Sequence, residues 1–309
     1  MQKLTLLYLT YLCLVCTFSF GHAKSNEEEE TEVAVKSFSQ IRFRIVNRLI
    51  LVEASVNGVR GNFILDSGAS DLYLNNQYFE PDYAPQTATI ASGIHGNKSD
   101  IGVYIAKKFE WGGLKLKKVK AYTADLQHLE KILHEKILGL IGYPILKKYE
   151  LLIDYNTRTL TVFEIDKKGN RLYQAVQKKP VHTLDFKMSR HFAVIEGKIA
   201  GEKVRLGLDT GAGVGFLDEG LLKNMGNQIE VTESSNVTGV NGTKQDVARG
   251  SIKQLDIDKL IFKDVKVAFS NFSSMKKSFN AYFDGLMGYD FFSSTPIAIN
   301  YMKKKLFVF

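Results

Sequence analysis

FILDSGAS, at positions 63–70, is the stretch on which the reading of this chain turns. Apolar, β-prone residues run straight into Asp66, then a small hydroxyl residue, a glycine and an alanine. Alone this is a strand ending in a tight turn, and Asp-Ser-Gly triplets are common turns. The chain writes nearly the same thing again at 205–213, RLGLDTGAG, with Asp209 in the place of Asp66.

The repetition extends well beyond the aspartates. LVEASVNGVRGNFILD (51–66) aligns without gaps on VIEGKIAGEKVRLGLD (194–209), an offset of 209 − 66 = 143. SGIHGNKSDI (92–101) matches TGVNGTKQDV (238–247), and GLIGY (139–143) matches GLMGY (285–289), both at an offset of 146. Ile153-Asp154-Tyr155 corresponds to Ile299-Asn300-Tyr301, and each half closes on an apolar strand. Three blocks in one order, separated by a single three-residue adjustment, describe an internal duplication. Alternation of Val, Ile and Leu with polar residues makes both halves β-rich. The expected fold is all-β, with one lobe over 41–164, a charged linker over 165–180 and a second lobe over 181–309. The best helix pattern is LQHLEKILHEKIL, 126–138, with apolar residues at 126, 129, 132, 133 and 137.

Two homologous lobes pack about a pseudo-twofold axis, by the logic that makes identical subunits symmetric. If the aspartate turns meet there, Asp66 and Asp209 stand side by side. Two carboxyls at such range cannot both ionise, so they share a proton and titrate as a pair, as in the known case of aspartic proteases. Such a pair can activate a water and polarise a peptide carbonyl without metal, cofactor or covalent intermediate. Ser67 and Thr210 are placed to bond across to the opposite lobe. Gly68 and Gly211 let the backbone turn tightly and aim amides at the carboxyls.

Asp66-Ser67-Gly68-Ala69 and Asp209-Thr210-Gly211-Ala212 resemble the D-[ST]-G-[AS] motif of the pepsin and retropepsin superfamily of aspartic peptidases. Ile137-Leu138-Gly139-Leu140 and Phe283-Asp284-Gly285-Leu286 resemble its second motif, which threads beneath the catalytic loop. The resemblance covers nearly all of 41–309. It implies two retropepsin-like (acid protease) β-barrel lobes, with Asp66 and Asp209 as the catalytic dyad. It also implies substrate-covering flaps at Gly93, Ile94, His95 and Gly96 and at Gly239, Val240, Asn241 and Gly242. Two glycine-rich flaps without a tyrosine, and alanines at 69 and 212, are closer to retropepsin than to pepsin. Ala69 and Ala212 have no hydroxyl to stabilise an ionised carboxylate, so a less acid optimum than pepsin's is expected.

At the N-terminus, Lys3 precedes a stretch without charge, Leu4 to Phe20, that ends in Gly21-His22-Ala23. Residues 1–23 are therefore expected to be a secretory signal peptide, followed by an acidic disordered tail over 24–40. Both cysteines, Cys13 and Cys16, fall inside the signal, so the mature chain is expected to hold no disulfide, thiol nucleophile or cysteine metal site. A protein of this kind is expected to be secreted or periplasmic, with no stable membrane insertion once the signal is cleaved. The net charge of +8 is spread over dispersed lysines with no nucleic-acid motif, so nucleic acid is not an expected partner. His128 and His134 stand six apart, the wrong spacing for two ligands on one helix face, and no metal is expected. His95 reads more simply as an exposed loop residue, and Trp111 as packing. Of the Asn-x-Ser/Thr triplets at Asn97, Asn236, Asn241 and Asn271, two fall on the expected flaps, where a glycan would obstruct substrate. Either the triplets are unused, as in most bacteria, or the flap assignment is wrong, and the first is the reading preferred.

The expected function is an exported, monomeric aspartic endopeptidase taking an extended peptide or protein substrate. The rival is a catalytically silent peptide-binding or envelope-assembly protein that keeps the fold. A binder has no physical need of two intact aspartates whose mutual repulsion costs stability.

Overall fold

The computed structural model describes residues 38–83, 101–173, 179–225, 229–238, 244–273, 276 and 282–309. The expected flap residues, Gly93 to Gly96 and Gly239 to Gly242, lie outside these, as do residues 1–37. Strands Leu49–Val56 and Val59–Leu65 are joined by Asn57-Gly58, and Phe192–Ile199 and Glu202–Leu208 by Ala200-Gly201. All four turn residues have positive φ, 50° and 89° in the first turn and 55° and 83° in the second. A two-residue hairpin that follows the right-handed twist of its strands requires this.

Each half curls its strands into a barrel. In the first lobe the order is Arg44–Val46, Leu49–Val56, Val59–Leu65, Ile137–Ile141, Leu72–Asn75, Leu114–Ala124, Gly102–Trp111. Pairing of Ala54 with Trp111 and of Val56 with Phe109 closes it. The second lobe repeats the order through Lys187–Ser189, Phe192–Ile199, Glu202–Leu208, Gly285–Met287, Gly215–Asp218, Leu260–Ser270 and Lys244–Ile257, with Ile229–Thr238 beyond. Lys198 with Asp256 and Ile199 with Leu255 close it. The two-lobed, all-β reading is thus correct.

The lobes also share a sheet that the sequence did not announce. Its order is Phe38–Arg42, Thr159–Glu164, Tyr149–Asp154, Ile297–Asn300, Lys305–Val308, His182–Asp185. The last three strands are the duplicates of the first three in reverse, so the pseudo-twofold axis runs between Tyr149–Asp154 and Ile297–Asn300. Those two pair antiparallel, Ile153 with Ile297 through Glu150 with Asn300. Leu151, Ile153, Ile297 and Ile299 are all buried along this joint.

Three sequence expectations change. The first strand starts at Phe38, inside the expected tail, because the Phe38 ring packs against Phe163 and Tyr173. The helix is only Gln127–Leu133: His134 takes a left-handed φ of 52°, and Ile137 and Leu138 are drawn into strand Ile137–Ile141 beside Val59–Leu65. Ile132 is left 39% exposed, so it does not belong to the buried stripe. The start of the linker is not free chain either. Asp166 accepts hydrogen bonds from the Lys168 and Asn170 amides, and Arg171 Nε donates to buried Glu150 at 2.7 Å. Asn300, wholly buried, donates to Glu150 at 2.7 Å and to the Gly169 carbonyl at 2.8 Å. Its duplicate Asp154 only accepts, from the Asn156 and Thr157 amides, so the acid-to-amide exchange supplies the donor that holds the linker on the axis.

Removing one partner of a buried charge pair leaves the other charge without compensation. Arg171→Met is therefore expected to lower the unfolding free energy by roughly 3 kcal/mol, the low end for such pairs, in urea titration. An unchanged midpoint would show that the Glu150 contact holds nothing.

Candidate active site

Asp66 and Asp209 end the equivalent strands Val59–Leu65 and Glu202–Leu208. Beneath each loop runs a strand of the second motif, paired with the strand that leads into the aspartate. The Asp66 amide donates to the Ile141 carbonyl at 3.1 Å, and the Asp209 amide to the Met287 carbonyl at 3.0 Å. Glycine is demanded there, because a Cβ on Gly139 would overlap the Tyr73 carbonyl and one on Gly285 the Phe216 carbonyl.

The loops meet at the axis through reciprocal hydrogen bonds. The Ser67 amide donates to Thr210 Oγ1 at 3.0 Å, and the Thr210 amide to Ser67 Oγ at 2.9 Å. Each hydroxyl then donates onward across the axis, Ser67 to the Leu208 carbonyl at 3.0 Å and Thr210 to the Leu65 carbonyl at 2.8 Å. Both residues are buried. Gly68 and Gly211 donate their amides to Asp66 Oδ1 and Asp209 Oδ1, each at 2.9 Å. They also face the opposite carboxyl: a Cβ on Gly68 would lie 2.6 Å from Asp209 Cγ, and one on Gly211 would fall as tightly on Asp66. Ala69 and Ala212 complete the turns, their carbonyls accepting from the Tyr143 and Tyr289 amides.

Asp66 and Asp209 face one another across the axis, each carboxyl lying against the other loop's glycine. Burial raises both carboxyls above the ordinary range, and the charge of Asp66 raises Asp209 further. The glycine amides pull the other way, but do not win. The pair therefore retains a proton at a pH where exposed aspartates have lost theirs.

Several residues around the dyad carry no mark in the sequence motifs. Tyr155 and Tyr301 leave the shared sheet toward it, and both hydroxyls feel its charge. Each is packed edge-on with a tyrosine of the other lobe, Tyr155 with Tyr289 at 5.5 Å and Tyr143 with Tyr301 at 5.3 Å. All four stand in the duplicated blocks, which is the signal that could have found them. His191 and Arg48 occupy equivalent turns (191 − 48 = 143) yet differ in chemistry, so the repeat gave no signal. Arg48 pairs with Asp290 at 3.1 Å and lies over Tyr289, whereas His191 bonds to the Gly68 carbonyl at 2.8 Å.

Two family models match the chain, one in each half. Residues 52–145 match the aspartyl protease family, and residues 195–294 the gag-polyprotein putative aspartyl protease family. Both halves are retropepsin-like aspartyl protease domains, in tandem. A search of curated proteins found no match. In these aspartyl protease domains the matched spans include both aspartate turns and both second-motif strands, so the resemblance of sequence and the geometry fall on the same residues.

Ionising the buried pair costs stability, with a sign that follows from the raised pKa. A carboxyl whose folded pKa is raised destabilises the fold as pH rises from the unfolded value through the folded one. Asp209→Asn is expected to raise the melting temperature at pH 7, with a smaller gain at pH 4, where the wild-type pair already holds more protons. A melting temperature lowered at pH 7 would contradict the raised pKa.

Proposed function

We propose that this chain is an aspartic endopeptidase whose dyad, Asp66 and Asp209, is assembled within one polypeptide. The observation that carries the reading is the pair of facing carboxyls, one from each aspartyl protease domain, each set against the other loop's glycine and raised by burial. The ionised carboxyl takes a proton from a water lying between the two. The resulting hydroxide adds to the scissile carbonyl carbon, while the protonated carboxyl donates to the carbonyl oxygen. The tetrahedral intermediate collapses as a proton passes to the leaving nitrogen, giving an acid and an amine. Ser67, Gly68, Thr210 and Gly211 keep the carboxyls in place through the bonds described. The substrate is an extended peptide lying across the lobe interface.

The same proposal includes export. The uncharged stretch Leu4 to Phe20 and the Gly-His-Ala end support a cleaved signal and a secreted or periplasmic enzyme. Among the described residues no helix is long and apolar enough to cross a membrane.

The test is cleavage of an unbiased peptide mixture from pH 3 to pH 8 by residues 24–309, beside Asp66→Asn and Asp209→Asn. Cuts by the wild type that vanish in both variants are expected. The optimum is expected above about pH 4, because burial brings His191 from the ordinary 6.5 down to about 4 and the buried imidazole charges below that. The unfolded chain binds that proton first, so fold stability falls as pH drops from 6.5 toward 4. Folded wild type that cuts nothing at any pH, or a rate still climbing toward pH 3, would overturn the corresponding part of the reading.

A further inference from the structure

The pseudo-twofold axis makes the two aspartates look interchangeable, but the contacts that hold their loops are not. At the turn where lobe one carries Arg48, lobe two carries His191, which crosses the axis to the first lobe's loop. Its Nε2 lies 2.8 Å from the Gly68 carbonyl oxygen, its residue is 6% exposed, and its ring leans on Phe192 at 4.1 Å. A carbonyl only accepts, so Nε2 must carry the hydrogen.

The bonded carbonyl belongs to the Gly68–Ala69 peptide. In a trans peptide the C=O and N–H point in opposite directions, so fixing one end aims the other. The other end is the Ala69 amide, which faces Asp66: it lies 3.3 Å from the Asp66 carbonyl oxygen and helps to lower the pKa of the Asp66 carboxyl. A peptide plane next to glycine is the one most free to flip, since Gly68 has no Cβ to hold its dihedrals. Gly68 itself must remain glycine because the Asp209 carboxyl is packed against it. Within the loop the plane is held by the Ala69 amide alone, and His191 adds a hold on its other end from the opposite lobe.

We propose that His191 is a positioning residue for the dyad: by holding the Gly68 carbonyl from the opposite lobe, it keeps the Ala69 amide aimed at Asp66 and makes the two aspartates inequivalent. Arg48, at the mirrored turn, engages Asp290 and the Tyr289 ring instead. The orientation of Asp66 then depends on a neutral donor from lobe two, and that of Asp209 does not. This inference rests on the peptidase reading only for its kinetic consequence.

The experiment compares wild type with His191→Gln and His191→Phe. The Gln side-chain amide can put an N–H where Nε2 stands; the Phe ring fills the space without a donor. His191→Met, flexible enough to fill an irregular gap, serves as a second donor-less variant if Phe does not fold. Protein labelled with 13C at the aspartate carboxyls is titrated by NMR from pH 3 to 8, Asp66 being assigned by its loss in Asp66→Asn. Loss of the donor is expected to raise the Asp66 midpoint by about one unit, the scale of one hydrogen bond to a charged group. In the peptide assay it is expected to lower kcat about tenfold with KM little changed, as for loss of an interaction that matters to the transition state. His191→Gln should stay near wild type in both. Equal shifts in Gln and donor-less variants would reduce His191 to packing, and no shift in any variant would remove it from the dyad altogether. If wild type cuts no peptide, the peptidase reading falls while the carboxyl titration still decides this one.

Discussion

Ser67 and Thr210 hold each other's backbone, and the rest of the molecule depends on that exchange. Each buried hydroxyl accepts the other residue's amide and donates to the strand that leads into the other loop. A buried polar group left without a partner costs on the order of 1–3 kcal/mol. Both amides and both hydroxyls are satisfied only when the lobes are docked, so neither aspartate loop is complete in its own lobe. The facing of the two buried carboxyls is a product of the same docking, at a cost in repulsion and desolvation that the surrounding fold must offset.

The offset is visible where the lobes join. A six-stranded sheet contributed equally by both halves places Leu151, Ile153, Ile297 and Ile299 in one buried seam. Two tyrosine pairs straddle the axis, and the Glu150–Arg171–Asn300 network pins the chain's crossing from one lobe to the other. Burying apolar area stabilises by roughly 25 cal/mol per Å², so a continuous seam can carry a buried charge pair that an exposed joint could not. Fusing two domains into one chain also removes the concentration dependence that a dimeric enzyme would have. It frees the halves to diverge, as Arg48 and His191 have.

Much of this was legible in the sequence because duplication repeats what cannot vary. Gly139 and Gly285, or Ser67 and Thr210, are confined by close backbone approach and by hydrogen bonds that few side chains can make. What was not legible lies where neighbours from elsewhere in the chain decide. Phe38 reads as the end of an acidic tail until Phe163 is set against it. Ile137 and Leu138 continue a helical pattern until Val59–Leu65 recruits them. His191 differs from its counterpart, so no comparison of halves could point to it.

The most direct test of the central claim is amide hydrogen exchange at Ser67 and Thr210. If the reciprocal bonds bind the lobes into one unit, both amides exchange only through global unfolding, with the same free energy as denaturant unfolding reports. Exchange at either position through a much cheaper opening, or at clearly different free energies, would mean that the lobes part without unfolding. The aspartate pair would then not be a fixed centre.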